Sequence, residues 1–109
     1  MNLSEVTTEL DGTVIQVSVL VDSIREYKSK RGTMAFIEVT DEHSTIELVA
    51  FAKLYQEYKP LLFSGDELLI TARVQVGYDI NEDNEDEVVK DEVVYIKLIL
   101  ENLTVVEDG

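Results

Sequence analysis

The sequence predicts an all-β fold, a five-stranded Greek-key barrel with one helix between strands three and four. Three observations carry that expectation. From Val14 onward most of the chain alternates apolar and polar residues with a period of two, as strands with one buried face do. One stretch, Ala52 to Leu62, changes to helical spacing. The resulting order, three strands, a helix and two strands, fills a chain of 109 residues, enough for one core and one domain.

Residues 1–12 read as a polar lead-in that closes on the turn pair Asp11-Gly12. In the first strand Ile15, Val17, Val19 and Val21 alternate with Gln16, Ser18 and Leu20. Ile24 falls on the opposite parity, so this long strand must switch its buried face through a bend or bulge. Lys28 to Gly32 closes a hairpin, where Gly32 is free to take positive φ. The second strand, Thr33 to Thr40, turns Ala35, Ile37 and Val39 to one face and Met34, Phe36 and Glu38 to the other. Asp41 to Ser44 forms a turn, and strand three runs from Thr45 to Phe51 with Ile46, Leu48 and Ala50 inward. In the helix, Leu54, Tyr55, Tyr58, Leu61 and Leu62 recur on one side, and Pro60 with Ser64-Gly65 marks its end. Strands four and five, Glu67 to Val76 and Val93 to Leu100, flank a long acidic connection. This order is that of an OB-type barrel plugged by one helix, and the chain shows no internal repeat and no second domain.

The net charge is −14, with 23 acidic against nine basic residues. Such a balance opposes whole-surface attraction to DNA, RNA or anionic lipid. Its placement is uneven. From Asp22 to Arg31 four cations face two acids, a net of +2, whereas from Gly77 to Glu92 eight acids face one lysine, a net of −7. Cysteine is absent, which excludes a disulfide framework, a thiolate metal site and a cysteine nucleophile. No segment approaches the ~20 apolar residues of a membrane helix, and no basic region followed by an apolar run opens the chain. A soluble, cytoplasmic, monomeric module without membrane contact is expected.

The basic segment leads into the strand that carries Phe36. Arg25, Lys28, Lys30 and Arg31 suit phosphate contacts that release counterions, although a charged hairpin tip also serves simply to keep exposed strands apart. Phe36 lies on the solvent side if Ala35, Ile37 and Val39 are buried. There it offers its face to a base, an interaction of ~1–3 kcal/mol, or else packs under a loop as peripheral core. Tyr27 either stacks beside Phe36 or caps the barrel end. Arg73, between Ala72 and Val74, is a flanking cation or the partner of a cross-strand acid. Lys97 adds further flanking charge.

Several segments resemble one family. They are Val17-Ser-Val-Leu-Val-Asp-Ser-Ile-Arg25, Lys28-Ser-Lys-Arg-Gly-Thr-Met-Ala-Phe-Ile-Glu-Val-Thr-Asp41, Ile46-Glu-Leu-Val-Ala-Phe51, Leu54-Tyr-Gln-Glu-Tyr58, Ala72-Arg-Val74 and Ile96-Lys-Leu-Ile-Leu-Glu101. In this order, over roughly Asp11 to Val105, they resemble the OB domain of the bacterial DNA polymerase III alpha subunit. The resemblance implies a non-catalytic module of a larger replicative polymerase whose catalytic carboxylates lie elsewhere. Its implied partners are the single-stranded template, the rest of the polymerase chain and replisome proteins. The chain departs from the family pattern at Val19 and Ala72, where strand-bending glycines are usual, at His43-Ser44, and in its long acidic fourth connection. The second strand also resembles the anticodon-binding barrel of class II aminoacyl-tRNA synthetases. That match implies that Phe36 stacks on a base and that Glu47, across on strand three, reads a base edge.

Asp79-Ile-Asn81-Glu-Asp83 begins like a calcium loop, but Asn84 and Lys90 stand where such a loop needs glycine and a bidentate glutamate. His43 has no catalytic companions, and neither a Gly-rich phosphate loop nor a nucleophile motif is present. No metal, cofactor or catalysis by this chain alone is expected. The expectation is an OB module that binds single-stranded DNA weakly and with little sequence preference. Its rival, favoured by the −14 charge, is a protein-interaction module of the replication machinery.

Overall fold

The computed structural model describes residues 1–80 and 90–106. Five strands close into a barrel in the order β1-β2-β3-β5-β4, with β1 pairing back onto β4. They are β1 (Val14–Ser29), β2 (Gly32–Thr40), β3 (Thr45–Ala50), β4 (Leu68–Ile80) and β5 (Lys90–Val105), and helix α1 (Ala52–Leu62) joins β3 to β4. Neighbouring strands are antiparallel except β3 and β5, which run parallel through Glu47–Lys97, Leu48–Leu98 and Val49–Ile99. This is the predicted fold class, an OB barrel with its helix in the predicted place.

The core follows the alternation. Ile15, Val17 and Val19 from β1, Ala35, Ile37 and Val39 from β2, and Leu48 and Ala50 from β3 point inward and are buried. β4 adds Leu68, Ile70, Ala72, Val74 and Val76, and β5 adds Leu98, Leu100 and Leu103. The expected face switch in β1 is a register shift: pairing steps from Val21–Val39 to Ser23–Glu38 and leaves Asp22 as the extra residue. A bulge re-aims every following side chain. Ile24 therefore returns to the core side opposite Ile37, and Arg25 and Tyr27 turn outward. With this bulge supplying the bend, Val19 and Ala72 stand in the core without glycine's freedom.

Three expectations need correction. Residues 1–12 are more than a lead-in: they form two 3-10 turns, Leu3–Glu5 and Thr8–Leu10, and Leu3 and Val6 enter the core. The Leu3 N–H donates to Asp41 Oδ2 at 2.7 Å, and the Val76 N–H donates to Asp11 Oδ1 at 3.0 Å. Phe51 lies outside β3; it is the exposed N-cap of α1, whose first bond runs from the Tyr55 N–H to the Phe51 carbonyl. α1 keeps its expected bounds, with Pro60 in its last turn. The proline's missing N–H costs only one bond there, and the Phe63 N–H caps the Lys59 carbonyl. Finally, β4 and β5 are longer than the alternation suggested. At Glu101 the register shifts from Ala72–Leu100 to Thr71–Asn102, which carries β5 past two polar residues and returns Leu103 to the core. At the other end the ladder reaches Ile80–Lys90. The expected acidic connection, with its calcium-like start, falls largely on 81–89, outside the described residues.

Candidate nucleic-acid interface

Phe36 points out from β2 because its neighbours Ala35 and Ile37 are fully buried. The partner of Phe36 on β1 is Arg25, whose guanidinium carbon lies 5.1 Å from the ring centroid, a cation–π contact. On β3 its partner is Val49, and the same outward row continues through Ile99 on β5 to Arg73 on β4. Val49 is only 2% exposed although it faces away from the core, so this wall has an apolar floor. One row further, Glu38, Glu47, Lys97 and Gln75 stand side by side. Ser23, Arg25, Phe36, Glu38 and Glu47 line a hollow of about 190 Å³ in the wall, in which the Ser23 hydroxyl donates to Glu38 Oε2 at 3.2 Å.

The next row holds Tyr95 opposite Gly77. A Cβ on Gly77 would fall 1.9 Å from the Tyr95 ring, so the ring lies flat over the bare glycine backbone. Lys97 Nζ sits 4.6 Å from the same ring centroid, and Tyr95 is 41% exposed. Across the wall the chemistry therefore runs diagonally: Phe36 with Arg25, then Glu47 and Lys97, then Tyr95 on its glycine. By strand spacing and rise the two rings are roughly 10 Å apart across the sheet and roughly 13 Å along it. In these rows Arg25 and Lys97 are matched by the acids Glu38 and Glu47, and Arg73 pairs with Glu101, so the surface is close to neutral.

The hairpin turns at Lys30-Arg31, held by the Ser29 hydroxyl, which donates to the Gly32 carbonyl at 2.7 Å and accepts from the Arg31 N–H at 3.3 Å. Gly32, at φ 123°, takes the positive φ the turn requires. Strand alternation sends the hairpin's residues to two sides. Arg25, Tyr27, Met34 and Phe36 share the outer side, and Tyr27 is 59% exposed there. Glu26 and Lys28 are on the inner side, toward α1. Glu26 Oε2 accepts from the Tyr55 hydroxyl at 2.5 Å and pairs with Lys59 Nζ at 2.9 Å. The Tyr55 bond and then Lys59 hold the Glu26 carboxyl below its ordinary range, and burial, with Glu26, pushes Tyr55 up to about 12.

No curated protein matches this sequence. The model of the OB-fold nucleic acid binding domain matches residues 12–94. The chain belongs to this family. Solved structures share the fold at low identity. An aspartyl tRNA synthetase from Entamoeba histolytica superposes with a TM-score of 0.68 at 11% identity, over 96% of this chain and 20% of that one. The second OB-fold domain of replication protein A from Methanococcus maripaludis gives 0.61 at 14% identity, over 100% and 96%. A small single-stranded DNA-binding protein from Streptomyces coelicolor gives 0.57 at 14% identity, over 86% and 92%. The OB-fold domain thus spans about a fifth of the synthetase and nearly all of the other two.

Of the residues singled out in the sequence, this OB-fold domain brings Arg25, Phe36, Glu47 and Lys97 onto one wall, with Tyr27 at its hairpin edge. Lys30 and Arg31 are at the hairpin tip. Lys28 is on the opposite side of the hairpin, away from Phe36. Arg73 shares the outward row of Phe36 but is held by its neighbours: its Nε lies 3.2 Å from Glu101 Oε2 and its Nη1 donates to the Gly12 carbonyl at 2.8 Å. Tyr95 and Gly77 were missed. Their signal was present in the alternation of Tyr95, Lys97 and Ile99 against Ile96, Leu98 and Leu100. Nothing local to β5 says that it lies beside β3.

Proposed function

We propose that this OB-fold domain binds single-stranded nucleic acid across the outer wall of β2, β3 and β5, as the template-contacting module of a bacterial DNA polymerase III alpha subunit. The observation that carries the binding reading is Phe36, outward on β2 under the Arg25 guanidinium and beside a hollow edged by Glu47. A base takes the guanidinium's place on the ring, and Arg25 then turns to a phosphate. Glu47 accepts a hydrogen bond from the edge of the stacked base, Lys97 neutralises a phosphate, and Tyr95 holds a second base. Lys30 and Arg31 extend the phosphate contacts at the tip. The segments from Val17 to Glu101 that resemble the polymerase domain support the choice of parent, in which catalysis belongs to other parts of the chain. A weak site suffices there, because tethering raises the local concentration of template.

Glu47 supports a second reading, an RNA or anticodon contact, because a carboxylate beside a stacking ring can discriminate base edges. Fluorescence anisotropy with labelled oligo-dT and oligo-U, at low and physiological salt, tests both. Salt-sensitive binding to oligo-dT that fails in Phe36→Ala is expected. Preference for oligo-U, abolished by Glu47→Gln, would transfer the proposal to RNA. Binding to neither, at any salt, would favour the protein-interaction module.

A further inference from the structure

On the side of the hairpin opposite Phe36, the hairpin and the first turns of α1 enclose a hollow of about 550 Å³. Three cations, Arg31, Lys53 and Lys59, line it with one acid, Glu26. Lys28 stands at its edge, paired across the hairpin with the lining residue Thr33, and its charge bears on Glu26. Four of the nine Lys/Arg residues of a chain with net charge −14 thus surround one cavity. Glu26 is already committed to Tyr55 and Lys59 through one oxygen. Among the described residues no carboxylate forms an ion pair with Lys28, Arg31 or Lys53. The wall is firmly built: Gly32, at φ 123°, brings the hairpin so close to α1 that a Cβ there would lie 3.2 Å from that of Ala52.

A concave surface that gathers like charges focuses a field on an anion. The hollow also begins at Arg31, the tip where the outer wall ends. We propose that it is a phosphate subsite for the same nucleic-acid strand. The strand leaves the Phe36 wall, rounds Lys30-Arg31, and sets a backbone phosphate between Arg31 and Lys53, with Lys28 and Lys59 flanking. This rests on the strand-binding reading above and adds to it a second contact surface, on the inner side of the hairpin. Linkage through one continuous strand makes the second contact intramolecular, so a subsite that is weak alone still adds to affinity.

Strand length separates the two surfaces. Oligo-dT of about 5 nucleotides covers only the Phe36 wall, and one of about 14 nucleotides reaches round the tip, within the range of OB-fold sites. Anisotropy titrations over a range of salt would compare the intact chain with Lys53→Glu, Lys53→Gln and Phe36→Ala, each checked for an unchanged thermal melt. Lys53→Glu should leave the short strand within about twofold and weaken the long strand about tenfold. It should also lower the long strand's salt slope by ~0.7, the loss of one phosphate contact, and Lys53→Gln should do so with a smaller affinity change. Phe36→Ala should weaken both strands. Equal weakening of both lengths by Lys53→Glu, the mark of a general field, would overturn the subsite, as would no change in either. Both results leave the Phe36 wall standing. An unaffected Phe36→Ala would instead sink the wall.

Discussion

Phe36 owes its outward position to Ala35 and Ile37, whose complete burial leaves its ring no place in the core. The ring is half-buried, beside Val49 and under the Arg25 guanidinium. If it stacks on a base, Phe36→Ala should weaken oligo-dT binding by ~1–3 kcal/mol, which anisotropy measures. Tyr95 depends on the absence of a side chain at Gly77. In Gly77→Ala the new Cβ, 1.9 Å from the present ring position, must push the ring off the strand. If Tyr95 stacks on a base, Gly77→Ala should lose as much affinity as Tyr95→Ala, to within about twofold, a loss of ~1–3 kcal/mol for each. Full affinity in Gly77→Ala would remove Tyr95 from the interface.

Between elements, carboxylates at two places tie the fold to pH. Glu26 on β1 is held below its ordinary 4.5 by the Tyr55 hydroxyl and Lys59 of α1. Asp41, after β2, is held below 3.8 chiefly by the Leu3 N–H, with the His43 and Ser44 N–H groups adding to it. A lowered folded-state pKa stabilises above the unfolded value and ceases to do so as pH falls through the folded one. Stability should therefore begin to fall below pH 4.5. Tyr55 has the opposite sign. Its raised pKa stabilises fully below 10, and that stability is lost as pH climbs from 10 toward about 12. Thermal melts against pH should show both arms. Tyr55→Phe should remove its part of the alkaline arm and flatten the acid arm by the part of the Glu26 shift that its hydroxyl supplies, leaving the part due to Lys59. Leu3, 3% exposed, fastens the N-terminal turns onto the barrel. Leu3→Ala should cost roughly 2–3 kcal/mol in a denaturant titration, and a change within error would show that these turns are not part of the core.

Over the whole molecule, salt should act in opposite directions on folding, through the −14 charge, and on the proposed binding, through the cations that would meet phosphates. Self-repulsion of an acidic chain weakens as the Debye length contracts from ~30 Å at 0.01 M to ~8 Å at 0.15 M, so the melting temperature should rise over that range. Over the same range oligonucleotide affinity should fall, by ~0.7 log units per phosphate contact for each tenfold change in salt. Calorimetry and anisotropy in shared buffers would check the pair. A melting temperature that falls with salt would contradict the self-repulsion argument.

Much of this protein is written in local periodicity. Alternation along Ile15–Val21, Ala35–Val39 and Ile70–Val76 determined which side chains are buried, because a strand's faces repeat every two residues. The change of parity at Ile24 marked the bulge at Asp22, and helical spacing marked α1 at its observed bounds. The outward position of Phe36 followed from the same count. Closure of the barrel decided the rest. It set β5 beside β3, which placed Lys97 next to Glu47 and Tyr95 beyond them, a juxtaposition of residues about fifty apart in sequence. It also divided the basic segment, with Arg25 over Phe36 and Lys28 toward α1, where Lys53 and Lys59 join it. Charge summed along the chain ignores the faces of a hairpin, and pairing between distant strands is an energy of the whole sheet that no local pattern records.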